Sequence, residues 1–404
     1  MSVTAKARPD TAAPAVTHDE LVARARALAP VFFERAAEAE RLRRMPDANV
    51  RDLKKAGLFK VLQPRRYGGY QMPLTTHIDV IAEIARGCPS TAWCMGVIHA
   101  HSWFMGLFPE KAQEETYGAD PDTIISAVIA PRGKAVMVDG GYRLNGFWPF
   151  GSGCEHSQWL FLGAVVFNEK GEEVDAADFL VPTKDVTLKD DWNVVALRGT
   201  GSCSIVAQDV FVPKHRMLSL PGSIAGKKPD AAKHEGWLYE SAVVPVLTLA
   251  LAPSALGMAE AALDQLKERL PGRIVAYTEG ELQMEQPITH IQVADAATKI
   301  RVARLLLHAC ARDIQEPAER GEMMEFTKRA RVRADVAYAV RQCLEAIEIL
   351  YLATGGSGIS ESNPIQRAWR DVHAVNMHGL MNLPMNQEMY GRIVLGLKPN
   401  TPLI

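Results

Sequence analysis

Residues 146–159 read GFWPFGSGCEHSQW. Aromatic rings at 147, 148, 150 and 159 crowd a bare Gly151-Ser152-Gly153. Glycine inside a strand sacrifices packing and usually marks a bulge or the close approach of another group. Taken alone, Ser152 serves equally well as a turn residue, and Trp148 and Trp192 as ordinary core. A second group of chemically able residues is histidine. A neutral imidazole accepts a proton near pH 7 because its unperturbed pKa is about 6.5. His99 and His101 lie two apart in the nearly all-apolar run PSTAWCMGVIHAHSWFMGLF, so they point to different faces of a helix. A lone histidine on such a face is more often a satisfied core residue than a catalyst. His378 stands in HAVNMHGLMN.

Several chemistries are not indicated. HExxH spacing is absent, and His290 and His308 are 18 apart, so no metal centre is expected. No GxGxxG fingerprint for a dinucleotide is present. The six cysteines (Cys88, Cys94, Cys154, Cys203, Cys310, Cys343) show no CxxC spacing and are expected to be free thiols in a reducing compartment, the cytoplasm by default. A formal net charge of −2 over 404 residues gives no reason to expect nucleic acid or a membrane surface as partner. No continuous run of about 18 apolar residues suggests a membrane span.

The elements that must hold these residues fall into three blocks. Residues 1–17 read as a disordered lead. Residues 18–122 carry apolar positions at three-to-four spacing and are expected to form an N-terminal helical domain. Within it a helix should begin at Pro46-Asp47 and stop near Gly57, and another should take Ser90 or Thr91 as its N-cap. Residues 123–230 turn to short β-branched stretches broken by Gly, Pro and Asp, with a hairpin turn at Asp139-Gly140-Gly141 and a last strand ending near Pro213. This central domain is expected to be a β-barrel or sandwich. Residues 231–404 return to long amphipathic helices, three long and one shorter, expected as a four-helix bundle. The fold class is α+β.

This order of blocks resembles the acyl-CoA dehydrogenase superfamily. ALRGTGSCSIVAQDVFVPKHRML (196–218) is similar to its β-domain segment, an Arg-Gly-x-x-Ser turn before a strand ending in Val-Pro. YLATGGSGISESNPIQRAWRD (351–371) is similar to its C-terminal Gly-Gly-x-Gly, Pro and Arg-Asp signature. The superfamily's dehydrogenases use a glutamate base, and this chain lacks one at both known places. His378-Gly379 stand where Tyr-Glu would follow Arg370-Asp371, and no acid lies between Ser241 and Met258. Without a carboxylate, α-deprotonation has no base. The other branch, the oxygenase components of two-component flavin monooxygenases, carries Trp-x-Phe-x-Ser-Gly, matched by Trp148 to Gly153. It also has a histidine before a helical Trp, matched by His101-Ser102-Trp103, and one after Arg-Asp, matched by His378.

The resemblance implies reduced flavin (FMNH2 or FADH2) and O2 as cofactors. It implies a C4a-hydroperoxyflavin that hydroxylates a small aromatic substrate such as a phenol or indole. Ser152 would hold flavin N5, and Trp148, Phe150 and Trp192 would wall the site against water. Gly151-Ser152-Gly153 would let the backbone approach the ring edge. His101 and His378 would act on substrate and oxygen, with His99 as the alternative match for His101. Arg273 and the Gly355-Gly356 turn, from a neighbouring subunit of a homotetramer, would meet the flavin phosphate. The family's usual Arg before Phe-Gly is missing from AYTEGELQMEQPI. A separate NAD(P)H-flavin reductase would supply the reduced cofactor. Alternatives are an acyl-CoA dehydrogenase with a displaced base, an N- or S-oxygenase, and a non-catalytic helical assembly.

Overall fold

The computed structural model describes residues 16–228 and 234–404. Most of the expected lead (1–17) and the expected boundary at 230 lie outside the described residues. The N-terminal block contains α1 (His18–Glu34), α2 (Ala36–Leu42), α3 (Asp47–Lys55), α4 (Leu74–Gly87), α5 (Pro89–Met105) and α6 (Glu110–Tyr117). Thr17 opens α1 with a capping box to Glu20, which satisfies two orphan amides at once. Gly57, at φ +71°, ends the α3 segment where the sequence placed its stop. The start of α5 differs from expectation. It begins at Pro89, whose missing N–H costs nothing at a first helical position. Ser90 is therefore inside the helix, and its hydroxyl accepts from the Gly199 amide instead.

The central block is one seven-stranded sheet rather than two facing sheets. Its strands are β1 (Ile125–Val138), β2 (Gly141–Gly151), β3 (Trp159–Phe167), β4 (Glu173–Pro182), β5 (Thr187–Lys189), β6 (Cys203–Pro213) and β7 (Met217–Ser219), in the order β5-β6-β2-β1-β3-β4-β7. Among the described residues, only the β1–β3 pair is parallel. The β1–β2 hairpin pairs Val138 with Gly141 across Asp139-Gly140, and Gly140 takes φ +74° as such a turn requires. β4 and β6 have three strands between them in the order yet approach each other, so the sheet is curled. Its interior holds Trp148, Leu160, Leu162, Phe179 and Ile205. The opposite face, with Ile125, Phe161 and Leu180, packs into the helical core.

The C-terminal helices are α8 (Val243–Leu249), α9 (Pro253–Arg269), α10 (Pro287–Glu319), α11 (Phe326–Ala353), α12 (Pro364–Met377) and α13 (Leu383–Val394), after the short α7 (Leu220–Ile224). The sequence suggested one long helix across α8 and α9. Pro253 breaks it, since proline removes a helical donor and clashes with the preceding turn. The stretch Val243–Arg269 is long and apolar enough to pass for a membrane span, but 83% of its most apolar window is buried inside the protein. α13 adds a helix beyond the expected four and packs on α11.

Candidate functional site

The site is assembled around α5. Every residue of this helix is buried, yet burial is not uniform. Trp93, Val97 and His101, spaced i, i+4, i+8, keep 7%, 7% and 5% exposure, whereas Cys94, Met95, His99 and Trp103 keep none. One helical stripe therefore keeps a slight opening to solvent, where Cys94, Met95, His99 and Trp103 have none.

His101 sits on that stripe. Its Nδ1 is 3.0 Å from the Ile125 carbonyl, which can only accept, so Nδ1 carries the hydrogen and Nε2 presents a lone pair. Burial pushes its pKa down to about 4, and the carbonyl bond only partly offsets this. The ring meets Phe161 edge-on at 6.3 Å. The alternative, His99, is turned away. Its nitrogens contact His77 (3.0 Å) and the Leu58 carbonyl (2.5 Å) in the core between α4 and α5.

His378 follows the end of α12. The Leu380 amide donates to its Nδ1 at 3.3 Å, leaving the hydrogen on Nε2. Crowding by protein atoms lowers its pKa to about 4, although the residue remains accessible to solvent. Its ring approaches Trp93 edge-on at 5.8 Å. Trp93 in turn donates its indole N–H to Ser152 Oγ at 3.1 Å. One tryptophan thus links the helix, the C-terminal histidine and the β-domain serine.

Ser152 is held from three further sides. Ser126, fully buried on β1, donates to the Ser152 carbonyl at 2.8 Å. The Ser152 amide donates to the Phe150 carbonyl at 2.9 Å. Ser152 Oγ lies 2.7 Å from Ser202 Oγ, which lies 2.7 Å from Thr200 Oγ1. Beside it, Phe150 is 64% exposed and adopts φ +71°, a left-handed conformation that is strained for an aromatic residue. Trp192 meets Phe150 edge-on at 6.0 Å and donates its N–H to the Leu197 carbonyl at 3.2 Å.

Two expectations about this run need correction. Trp148 is not a wall of the site. It has no exposed surface, it fills the curled sheet, and its N–H is spent on the Gly163 carbonyl at 2.7 Å. A Cβ at Gly133 or Gly146 would lie 2.2 or 2.5 Å from its ring, which is why those positions are glycine. Gly151 likewise answers to packing rather than to a ligand, since a Cβ there would lie 2.7 Å from Ile205. Gly153 is required by its own turn, at φ +71°.

The Arg-Asp signature supports the site from behind. Asp371 accepts the Leu197 amide at 2.6 Å and is 1% exposed. Burial raises its pKa to about 7, against the Leu197 bond and Arg370, which act the other way. Arg370 donates to the Val195 carbonyl and, with Arg367, to Glu40. Burial disfavours the Glu40 carboxylate, but these two arginines outweigh it and hold its pKa below the usual range. The loop bearing Trp192 and Leu197 is thereby tied to α2 and α12.

Arg273 and Gly355 are brought together. Arg273 donates to the Thr354 carbonyl, and a Cβ on Gly355 would lie 3.5 Å from its guanidinium. Gly356 follows with open space around it. Among the described residues no hydrogen bond joins this cluster to Ser152. Trp93, Ser126 and Thr200 were missed by sequence reasoning. The i, i+4, i+8 relation of Trp93 to His101 was the available signal for the first. Ser126 carried none, and Thr200 lay unremarked inside the Arg-Gly-x-x-Ser turn.

Residues 16–120 match the model of the acyl-CoA dehydrogenase N-terminal domain, and residues 249–383 that of the acyl-CoA dehydrogenase C-terminal domain. The chain is 36% identical over 371 residues, 92% of its length and 97% of the relative's, to the flavin-dependent monooxygenase oxygenase subunit HsaA of Rhodococcus jostii (strain RHA1). It is 36% identical over 392 residues, 95% of each chain, to the oxygenase component of the FADH2-dependent resorcinol hydroxylase of Rhizobium sp. (strain MTP-10005). Among solved structures, XiaF from Streptomyces sp. in complex with FADH2 and glycerol superposes with a TM-score of 0.88 at 32% identity, covering 95% of this chain and 97% of that one.

Proposed function

We propose a function from one premise: the chain belongs to the acyl-CoA dehydrogenase family, in its branch of flavin-dependent monooxygenase oxygenase components. The protein is a monooxygenase that uses reduced flavin to hydroxylate an aromatic compound, with a separate reductase supplying the cofactor. A neutral phenol or indole ring is the substrate class we favour. The observation that carries the residue assignment is Trp93, which joins Ser152 at 3.1 Å and His378 at 5.8 Å on the same helical stripe as His101.

The residues present fit a flavin. Phe150 offers an exposed ring beside a hydroxyl that is held in place, with Trp192 at its edge. These side chains would face the flavin ring, and Ser152 its N5 edge. Arg273 and the Gly355-Gly356 turn of a neighbouring subunit would meet its phosphate. The bound reduced flavin, with O2, supplies the electrophilic oxygen.

The protein's own groups then act on the substrate. His101 Nε2 accepts a hydrogen bond from the substrate's O–H or N–H. Full proton transfer in the ground state is unfavourable. A phenol near pKa 10 facing a base near 4 is mismatched by about six units, or about 8 kcal/mol. The proton therefore moves to His101 only as the ring's electrons are committed to the new C–O bond. His378 Nε2–H donates to oxygen in the same cleft. Phe161 and Val97 keep water from the His101 side.

A dehydrogenase reading has no support in this geometry. No carboxylate among the described residues hydrogen-bonds to Ser152, His101 or His378. Homotetramer formation rests on exposed apolar residues along α10, namely Ile288, Ile291, Val302 and Leu305. A cytoplasmic location rests on six buried free thiols. The decisive test supplies reductase, NAD(P)H and a panel of phenols, indole and aromatic acids, and measures substrate-stimulated O2 consumption and product. The wild type should form product, and the His101→Ala/His378→Ala double variant should not, while remaining folded. Normal turnover by the double variant would refute the assignment.

A further inference from the structure

We infer that Thr200 and Ser202 are positioning residues that fix Ser152 as a hydrogen-bond acceptor, so that the site prefers reduced over oxidised flavin. This rests on the reduced-flavin reading above and extends it to residues behind the site. The argument is a count of hydroxyl hydrogens. Three hydroxyls form a chain, Ser152–Ser202–Thr200, with both links at 2.7 Å. Each hydroxyl has one hydrogen to give. At the far end Thr200 Oγ1 lies 2.9 Å from the Leu197 carbonyl, which can only accept, so Thr200 donates there. Ser202 must then donate to Thr200, and Ser152 must donate to Ser202. At the near end the Trp93 indole can only donate, and it donates to Ser152 Oγ. Ser152 has spent its hydrogen, and what remains to it is a lone pair.

Reduced flavin carries N5–H, a donor, and oxidised flavin carries a bare N5, an acceptor. An acceptor at Ser152 matches the first and opposes the second. Reversing the chain is possible, but it forgoes one hydrogen bond, that from the Thr200 hydroxyl to the Leu197 carbonyl, which also accepts from the Thr200 amide at 3.1 Å and the Trp192 indole at 3.2 Å. The net worth of one such neutral bond corresponds to about a fivefold bias in an equilibrium. Thr200 and Ser202 are 1% and 4% exposed, so water does not readily enter the chain to restore the forgone bond. Leu197 is held at φ +48° with its amide on Asp371, which fixes the carbonyl that orders the chain. None of these residues need touch the flavin.

The test is anaerobic equilibrium titration of the full-length protein with FMNH2 and FMN, and separately with FADH2 and FAD, together with thermal melts. The wild type should bind the reduced form more tightly. Ser202→Ala cuts the chain, and Thr200→Val removes its anchor; each should lower the reduced-over-oxidised affinity ratio about fivefold. For a two-electron couple this is a fall of about 20 mV in the bound flavin's midpoint potential relative to wild type. Thr200→Ser keeps the hydroxyl and should keep the ratio. An unchanged ratio in Ser202→Ala and Thr200→Val, or equal weakening of both redox states, would overturn the inference. If Ser202→Ala melts early, the Thr200→Val and Thr200→Ser pair decides it alone. Failure of the wild type to bind flavin in either state would instead refute the functional reading.

Discussion

Replacing Asp371 by asparagine should stabilise the protein, and should do so more at high pH. The carboxyl is buried and its pKa is raised to about 7, against about 3.9 for an unfolded aspartate. The folded state therefore binds the extra proton between those values. The group's stabilising influence is complete below pH 4 and is lost as pH rises through 7. Integrating the linkage from pH 5 to pH 8 gives a loss of about 3 kcal/mol in the wild type. An amide cannot ionise, so Asp371→Asn escapes that loss. Its carbonyl oxygen can still accept the Leu197 amide that the carboxylate holds at 2.6 Å. At about 1 °C per kcal/mol for a chain of this size, the melting temperature of the variant relative to wild type should rise by about 3 °C between pH 5 and pH 8. Differential scanning fluorimetry at the two pH values measures it. A variant that melts lower than wild type, with a deficit that grows with pH, would show that the carboxylate is ionised and paired with Arg370. The reasoning from burial would then be wrong.

Other outcomes follow from the same geometry. His101→Gln should lower product formation by a factor of about 100 or more while oxygen is still consumed, read as hydrogen peroxide released without hydroxylated product. The His101 pKa near 4 makes product formation independent of this group above pH 6 and decreasing as pH falls toward 4. Because an unfolded histidine titrates near 6.5, the unfolded state takes the proton first, so His101 also costs up to about 3 kcal/mol of stability as pH drops through that window, visible in acid denaturation. Trp148→Ala should destabilise the protein by about 3–5 kcal/mol through the cavity it leaves. Trp192→Ala should cost less stability but weaken reduced-flavin binding, so melts and titrations on both variants separate the core ring from the site ring.

The block order, the helix stop at Gly57, the Asp139-Gly140 turn and the strand ending at Pro213 were legible because each rests on local chemistry. The start of α5 was misread because Pro89 competes with Ser90 for the first turn, and only the tertiary contact to Gly199 shows what Ser90 does. His101 and Ser152 were singled out through the resemblance. Their hydrogen-bonding senses were not, since these depend on the carbonyls of Ile125 and Leu197, far away in sequence. Trp148 was misassigned because a strand's alternation shows that two neighbours face opposite sides, not which side is closed. Phe150 and Trp148 are two apart, but a left-handed Phe150 and a register shift between Trp148 and Gly151 break the alternation there.

α5 also bears on how such a pocket could change. All 17 of its positions are buried, and three, at 93, 97 and 101, form the stripe that keeps 5–7% exposure. Of those three, only Val97 is free of a hydrogen-bonding duty, since Trp93 is engaged with Ser152 and His101 with Ile125. A larger or smaller aromatic guest could thus be admitted by altering Val97, with the rest of the helix left to hold the molecule upright.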